Sequence, residues 1–172
     1  MLNNKQEQFS RVYDQYIEKI YRFVYLKVSS EEVAQDITSK VFLKGWEAYE
    51  KSADNIENKG AFLYQIARNS VIDFYRDRAK NLVVSTDLSL QIADKKDNLH
   101  EKAIQNFDIE LVKSAIQNLK QDYQDIIIWH YLDGLEVPEI ALAMQKPTGT
   151  VRVMLHRGLS ALKKELGNIR EG

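Results

Sequence analysis

Hydrophobic residues recur at three- and four-residue steps along most of the chain, which is the spacing of amphipathic helices. The first such stretch, FSRVYDQYIEKIYRFVYLKV, covers residues 9–28. Ser30 and the two glutamates after it have the chemistry of a helix start, and they predict a second helix over about 31–51. A polar turn at 52–59 precedes a third predicted helix, from about Gly60 to Lys80.

The next stretch, residues 81–106, contains no Phe, Trp or Tyr and is rich in Ser, Asp, Lys and Asn. Such a segment buries little surface and is typical of a linker. Helical periodicity then resumes over 107–119, over 122–132 and again from Val137. The pattern predicts an all-α protein with two small helical domains and a flexible linker: a domain at 1–80, the linker at 81–107 and a domain at 108–172.

The end of the chain has the pattern of a helix-turn-helix. From Pro147 it reads PTGTVRVMLHRGLSALKKEL, and its apolar residues share one helical face: Val151, Leu155, Leu159, Leu162 and Leu166. A short apolar helix, VPEIALAM (137–144), precedes it across the break Gln145-Lys146-Pro147, where proline suits the first turn of a new helix. A short helix, a tight turn and a longer basic helix are typical of a motif that enters the DNA major groove.

The face of this helix opposite the apolar stripe carries Thr150, Val153, His156 and Arg157. A valine pointing outward can contact a thymine methyl group, while an arginine beside it can bind a guanine edge. The alternative is that Val153 is one more scattered apolar surface residue or part of a helix–helix contact.

Charge is distributed unevenly, although the formal net charge is only −1. Residues 108–145 carry two lysines against seven acidic residues, a net of −5, while 146–172 carry six bases against two acids, a net of +4. Residues 59–80 carry five bases against two acids, a net of +3. A protein that coats DNA nonspecifically would be basic throughout, so the pattern predicts contact with a polyanion at two places only.

The third predicted helix, GAFLYQIARNSVIDFYRDRAK, has polar side chains on one face. They are Gln65, Asn69, Asp73, Arg76 and Lys80, with Phe62, Tyr64 and Tyr75 nearby. Amides, guanidinium groups and aromatic rings are what proteins use to hold unstacked bases. The alternative is an ordinary solvated face with core aromatics, and composition alone favours that alternative.

The string LEVPEIALAMQKPTGTVRVMLHRGLSAL closely resembles the promoter-reading helix-turn-helix of bacterial RNA polymerase sigma factors of the extracytoplasmic-function (ECF) group. The resemblance implies contacts with the minus-thirty-five promoter element from Thr150, Arg152, Val153, His156 and Arg157. The sequence departs from the family pattern at Val153 and Met154, where relatives commonly have a small polar residue and an arginine.

The string AFLYQIARNSVIDFYRDRAK looks like the helix with which the same family reads the minus-ten element, and SADNIENKG occupies the place of its base-capturing loop. The resemblance implies that single-stranded DNA is held by Asn58, Lys59, Asn69, Asp73 and Arg76. The helix VAQDITSKVFLKGWEAY resembles the one that docks on the clamp of RNA polymerase. Its implied polymerase contacts are Gln35, Asp36, Ser39, Lys40 and Lys44, and Ser39-Lys40 stand where relatives have Gln and an acid.

Motifs of catalysis or cofactor binding do not occur. There is no glycine-rich phosphate loop, no cysteine, and the three histidines match no metal-ligand spacing. We therefore expect no catalytic residue, no metal and no cofactor. The N-terminus lacks an apolar signal core and no apolar run approaches membrane-spanning length, so we expect a cytoplasmic protein without membrane insertion.

The resemblance implies an alternative sigma factor that binds core RNA polymerase and promoter DNA, assists promoter opening and is controlled by an anti-sigma factor. The rival hypothesis is a stand-alone helix-turn-helix repressor or activator whose N-terminal part senses a signal or dimerises. A third possibility is an inactive sigma homologue that serves as a scaffold, which Lys40 and Met154 favour slightly.

Overall fold

The structure, a computed structural model, describes residues 3–84 and 107–171, with side chains over 3–81 and 110–169. Every regular element in these ranges is a helix. The α-helices are α1 (Asn4–Val28), α2 (Glu31–Ser52), α3 (Lys59–Val84), α4 (Phe107–Gln117), α5 (Gln121–Ile127), α6 (Val137–Met144) and α7 (Thr148–Glu171). A 3-10 turn (Ala53–Asn55) follows α2, and a π-helical segment (Ile128–Leu132) continues α5. The all-α prediction is confirmed. The predicted linker, 81–107, lies outside the described residues except at its ends, which are helical instead: residues 81–84 continue α3 and Phe107 begins α4.

Helices α1, α2 and α3 pack together as the N-terminal bundle. Local chemistry fixes where they begin. Asn3 and Gln6 form a capping box at the start of α1, and the Ser30 hydroxyl accepts a hydrogen bond from the Val33 amide at the start of α2. The bundle core is apolar and includes Ile20, Phe23, Val24, Val41, Leu63 and Ala67.

Helices α4 to α7 form the second bundle, in which α7 packs on α4, α5 and α6. Gln145 ends α6 in the left-handed conformation (φ 56°), which turns the chain sharply into α7. Pro147 lies just before α7 rather than in its first turn, and its carbonyl accepts the hydrogen bond of the Val151 amide at 3.1 Å. Helices α6 and α7 are thus the predicted helix-turn-helix.

The two bundles lie directly against each other, which the sequence pattern did not predict. Helix α3 packs on α6. Trp129 of the π-helical segment is fully buried (0% exposed), with its ring 5.4 Å from Phe23 and 5.5 Å from Tyr64 of the first bundle. The buried apolar residues of both bundles form one continuous cluster. The bundles therefore share a core in this structure.

Candidate nucleic-acid and polymerase interfaces

Helix α7 presents all five residues that were predicted to read duplex DNA. Thr150, Arg152, Val153, His156 and Arg157 are exposed, whereas Val151 and Leu155 of the apolar stripe are buried. Val153 keeps 48% of its surface in solvent. This exposure leaves Val153 open to a ligand, and it equally fits the alternative of a scattered apolar surface residue.

Gly158 is buried where α7 packs against α5. Its Cα faces Tyr123, Ile126 and Ile127, which an added methyl group would meet at 3.6 Å. Residue 158 therefore lies at the contact with the rest of the bundle, one position after Arg157. This contact fixes the rotation of α7 and holds Val153 and Arg157 outward.

Helix α3 carries the residues predicted to hold single-stranded DNA. Asn69, Asp73 and Arg76 are exposed and lie three to four residues apart, on one side of the helix. Arg76 Nη1 lies 3.8 Å from Asp73 Oδ1, a solvated ion pair that is worth little in stability. These three side chains are available to a ligand.

The aromatic residues near this face of α3 are less accessible to a ligand than these three polar side chains. Tyr64 is fully buried and donates a hydrogen bond to Asp133 Oδ2 at 2.9 Å. It cannot support an unstacked base in this conformation. Tyr75 retains 36% exposure and donates its hydroxyl hydrogen to the Lys27 carbonyl, so its ring is partly accessible.

Asn58 and Lys59 are half-buried and lie at the start of α3. Asn58 Oδ1 accepts a hydrogen bond from the Ala61 amide at 2.9 Å, which makes Asn58 the cap of the helix. A base contact by Asn58 would use its amide nitrogen or the second lone pair of Oδ1. The Lys59 ammonium lies 5.0 Å from the centre of the Tyr49 ring, a cation–π arrangement.

Helix α2 exposes the whole set predicted to bind polymerase: Gln35, Asp36, Ser39, Lys40 and Lys44. Lys40 Nζ lies 3.9 Å from Asp36 Oδ2 one turn away, a solvated ion pair that is worth little in stability. Leu43, three residues after Lys40, is 58% exposed. The sequence interpretation missed Leu43, although an apolar residue at helical spacing within this polar face was a visible signal.

Charged side chains concentrate where the two bundles meet. Asp125 of α5 pairs with Lys27 of α1 at 2.9 Å and with Arg68 of α3 at 3.0 Å, while Asp133 pairs with Arg22 of α1. Burial lowers the pKa of the Lys27 ammonium and raises the pKa of the Asp125 carboxyl, and their mutual attraction opposes both changes. Each group therefore depends on the other to stay charged.

Comparison with known proteins identifies the same two regions. The family model described as "Sigma-70 region 2" matches residues 12–81, and "Sigma-70, region 4" matches residues 109–162. The first match covers most of the N-terminal bundle, including α3, and the second covers the helix-turn-helix. Together the two matches cover more than half of the chain.

Two curated relatives are similar to this protein over nearly the whole chain. The ECF RNA polymerase sigma factor BldN of Streptomyces coelicolor is 28% identical over 160 residues, which are 93% of this chain and 61% of BldN. The ECF RNA polymerase sigma factor SigW of Bacillus subtilis is 28% identical over 174 residues, 95% of this chain and 91% of SigW.

A solved structure shows the same fold. The sigma factor RpoE of Bartonella quintana, in complex with the anti-sigma factor NepR, superposes with a TM-score of 0.66 at 19% identity, covering 94% of this chain and 98% of RpoE. With the two family matches in order, the chain belongs to the sigma-70 family, in its ECF group. Within 3–84 and 107–171, no helix is long and apolar enough to cross a membrane.

Proposed function

We propose that this protein is an alternative sigma factor that binds core RNA polymerase, directs it to a set of promoters and assists promoter opening. The observation that carries the proposal is the occurrence of region 2 and region 4 in family order, each with an exposed face of suitable chemistry. The protein acts in the cytoplasm, contributes binding rather than catalysis, and is a target for an anti-sigma factor.

The two regions divide the DNA contacts between them. Helix α7 reads the minus-thirty-five element in the major groove through Thr150, Arg152, Val153, His156 and Arg157. Helix α3 and the turn before it hold the opened strand at the minus-ten element through Asn58, Lys59, Asn69, Asp73 and Arg76. Support comes from the exposure of these side chains, since all of them except the half-buried Asn58 and Lys59 lie open to solvent.

Helix α2 binds the polymerase. Its exposed side combines amide, hydroxyl and charged groups with an apolar centre at Leu43, a mixture that is usual for a protein–protein contact. The pair of Lys40 and Asp36 is solvated and weak, so it leaves Asp36 open to a basic partner. We include Leu43 with Gln35, Asp36, Ser39, Lys40 and Lys44 in the proposed contact.

The test is reconstitution with core RNA polymerase. The wild-type protein is expected to co-elute with core enzyme at one-to-one stoichiometry and to produce discrete run-off transcripts from genomic fragments. Asp36→Arg should abolish co-elution because it reverses the charge of an exposed contact, while its circular dichroism stays helical. Asp14→Arg makes the same change at an exposed position of α1 and should co-elute like the wild type.

The rival hypothesis, a free-standing repressor or activator, has a different signature. It requires tight binding of the protein alone to a two-fold symmetric duplex site. Such binding, together with failure to co-elute with polymerase, would contradict the proposal.

A further inference from the structure

Helix α7 is longer than the reading of bases requires. The residues proposed to contact base edges lie between Thr150 and Arg157, and the match to region 4 of the sigma-70 family ends at residue 162. Helix α7 continues to Glu171. The part of the helix after residue 162 adds roughly 14 Å at about 1.5 Å per residue, and base reading does not account for it.

This end of α7 is held against the second bundle. Ala161 and Leu162 pack on the hydrophobic core, and α4 packs on α7. The Asn118 amide nitrogen, just after α4, donates a hydrogen bond to Glu165 Oε2 at 3.4 Å. The carboxylate of Glu165 is therefore directed toward the bundle and not toward the exposed side of α7.

The exposed side of α7 beyond Arg157 has two charged residues between positions 158 and 169, and both are cations. Its exposed residues there are Ser160, Lys163, Lys164, Gly167 and Asn168. On a helix the neighbours of a side chain are the residues three and four positions away, and for Lys163 and Lys164 all of these are uncharged. The two ammonium groups thus have no acid beside them on this face.

The two lysines continue the rows of side chains that are proposed to read bases. Lys163 follows His156 by seven residues, and Lys164 follows Arg157 by seven. Seven residues are close to two turns of an α-helix, so each lysine lies on nearly the same side as its partner, about 10 Å further along the axis. Lys163 and Lys164 therefore face the same ligand as the reading residues.

The dimensions of DNA indicate what the lysines meet. The major groove is about 12 Å wide, and Thr150 to Arg157 already extend over about 10 Å of helix. Side chains a further 10 Å along, at about 1.5 Å per residue, pass the base edges and reach the phosphates that border the groove. Homeodomains, which are a variant of the helix-turn-helix, contact the backbone with the C-terminal end of their reading helix.

The chemistry of lysine suits a phosphate at this position. Its ammonium is a compact charge with three donors on a flexible stem, and it binds a phosphate oxygen without requiring one fixed geometry. The alternative is that Lys163 and Lys164 form an ordinary solvated end of the helix. That alternative predicts no loss of DNA affinity when both charges are removed.

We propose that Lys163 and Lys164 bind phosphates of the promoter backbone beside the minus-thirty-five element, and thereby fix how α7 sits in the groove. The inference rests on the proposed function and adds a backbone contact to its base contacts. Phosphate contacts set the register and orientation of a protein on the duplex but carry no sequence information directly. The two lysines are therefore positioning residues for Val153, His156 and Arg157.

The test is a salt titration of the polymerase holoenzyme on two fluorescent duplexes. One carries the sequence that the wild-type holoenzyme selects from a random library, and the other has its minus-thirty-five element scrambled. Lys163→Gln combined with Lys164→Gln should weaken binding to both duplexes by the same factor, about tenfold, and make the slope of log affinity against log salt shallower by about 2.

Two control variants separate the charge at this place from other effects. Lys163→Arg combined with Lys164→Arg keeps both cations and should bind like the wild type. Lys5→Gln combined with Arg11→Gln removes two cations at exposed positions of α1 and should leave the salt slope unchanged. All variants should keep wild-type helical circular dichroism and co-elute with core polymerase.

The outcomes distinguish this inference from the function on which it rests. A wild-type salt slope in the double glutamine variant would overturn the inference, and so would a loss of affinity confined to the selected sequence, since that would make the lysines base readers. Both results leave the proposed function standing. Failure of the wild-type protein to form a complex with core polymerase would overturn the proposed function, and the inference with it.

Discussion

Val153 is an exposed apolar side chain on the face of α7 that is proposed to read DNA. It follows a fully buried valine by two residues and is itself half exposed, between Arg152 and His156 on the reading face of α7. An apolar residue there is not required by the fold, since the core is filled by Val151 and Leu155 on the other side. Its chemistry fits the methyl group of a thymine.

Two substitutions in α7 distinguish the loss of a base-specific contact from a general loss of affinity for DNA. Arg157→Ala should weaken binding of the polymerase holoenzyme to its promoter by about 1–3 kcal/mol and relax discrimination at one base pair. Val153→Ser should change the preferred base nearby with little loss of overall affinity, because it removes only an apolar contact. Selection of bound sequences from a random library measures both effects.

The control for this prediction is Ser160→Ala, which changes an exposed residue of the same helix further along. It should return the wild-type site. Recovery of an identical site with Val153→Ser would remove the thymine explanation for the outward valine.

At the scale of elements, the approach of α1 to α3 depends on a glycine near the start of α3. Gly60 is buried, and a methyl group in its place would overlap the ring of Tyr16 on α1. The Tyr16 ring is in turn packed edge-on against Tyr64, with centroids 6.3 Å apart. Space at residue 60 therefore decides how closely the two helices meet.

Gly60→Ala should consequently destabilise the protein by about 1–3 kcal/mol, because overpacking displaces Tyr16. Gly167→Ala is the matched control in α7, where an added methyl group meets nothing within 4 Å. It should be neutral or stabilise by about 0.5–1 kcal/mol, since alanine favours a helix interior. Thermal unfolding followed by circular dichroism measures both, and equal melting temperatures for the two variants would contradict the packing argument.

At the scale of the whole molecule, the interdomain contact joins two units that the sequence separates. Protease is expected to cut first within 81–106, because this segment lacks the aromatic residues that anchor a chain to a core. The two fragments should nevertheless elute together in size-exclusion chromatography, because Trp129, Lys27 and Asp125 hold the bundles to each other.

The matched comparison is the Lys27→Glu protein cut in the same way. Its fragments should elute separately, because the substituted glutamate would face the carboxylate of Asp125. Separate elution of the wild-type fragments would show that the contact between the bundles does not persist without the connecting chain. Initial cleavage within 60–80 or 137–166 would contradict the two-domain division.

The sequence by itself determined the helices and the faces that stay in water. Amphipathic spacing and local caps are properties of neighbouring residues, which is why α6 was predicted with its observed bounds and α2 to within about one residue at each end. The outward position of Arg157 or Asp36 follows from the same periodicity. The family resemblance added the roles, because spacing alone leaves a DNA-reading helix and a solvated helix indistinguishable.

Only the tertiary structure decided which charged and aromatic residues form contacts within the molecule. Tyr64 and Arg68 lie in the stretch that resembles a DNA-binding helix, yet both are engaged with acids of the second bundle. Lys27 and Asp125 are far apart in the sequence and meet at 2.9 Å. Such pairings depend on how two preformed bundles dock, and docking is governed by the shapes and charges of whole surfaces rather than by the period of any one helix.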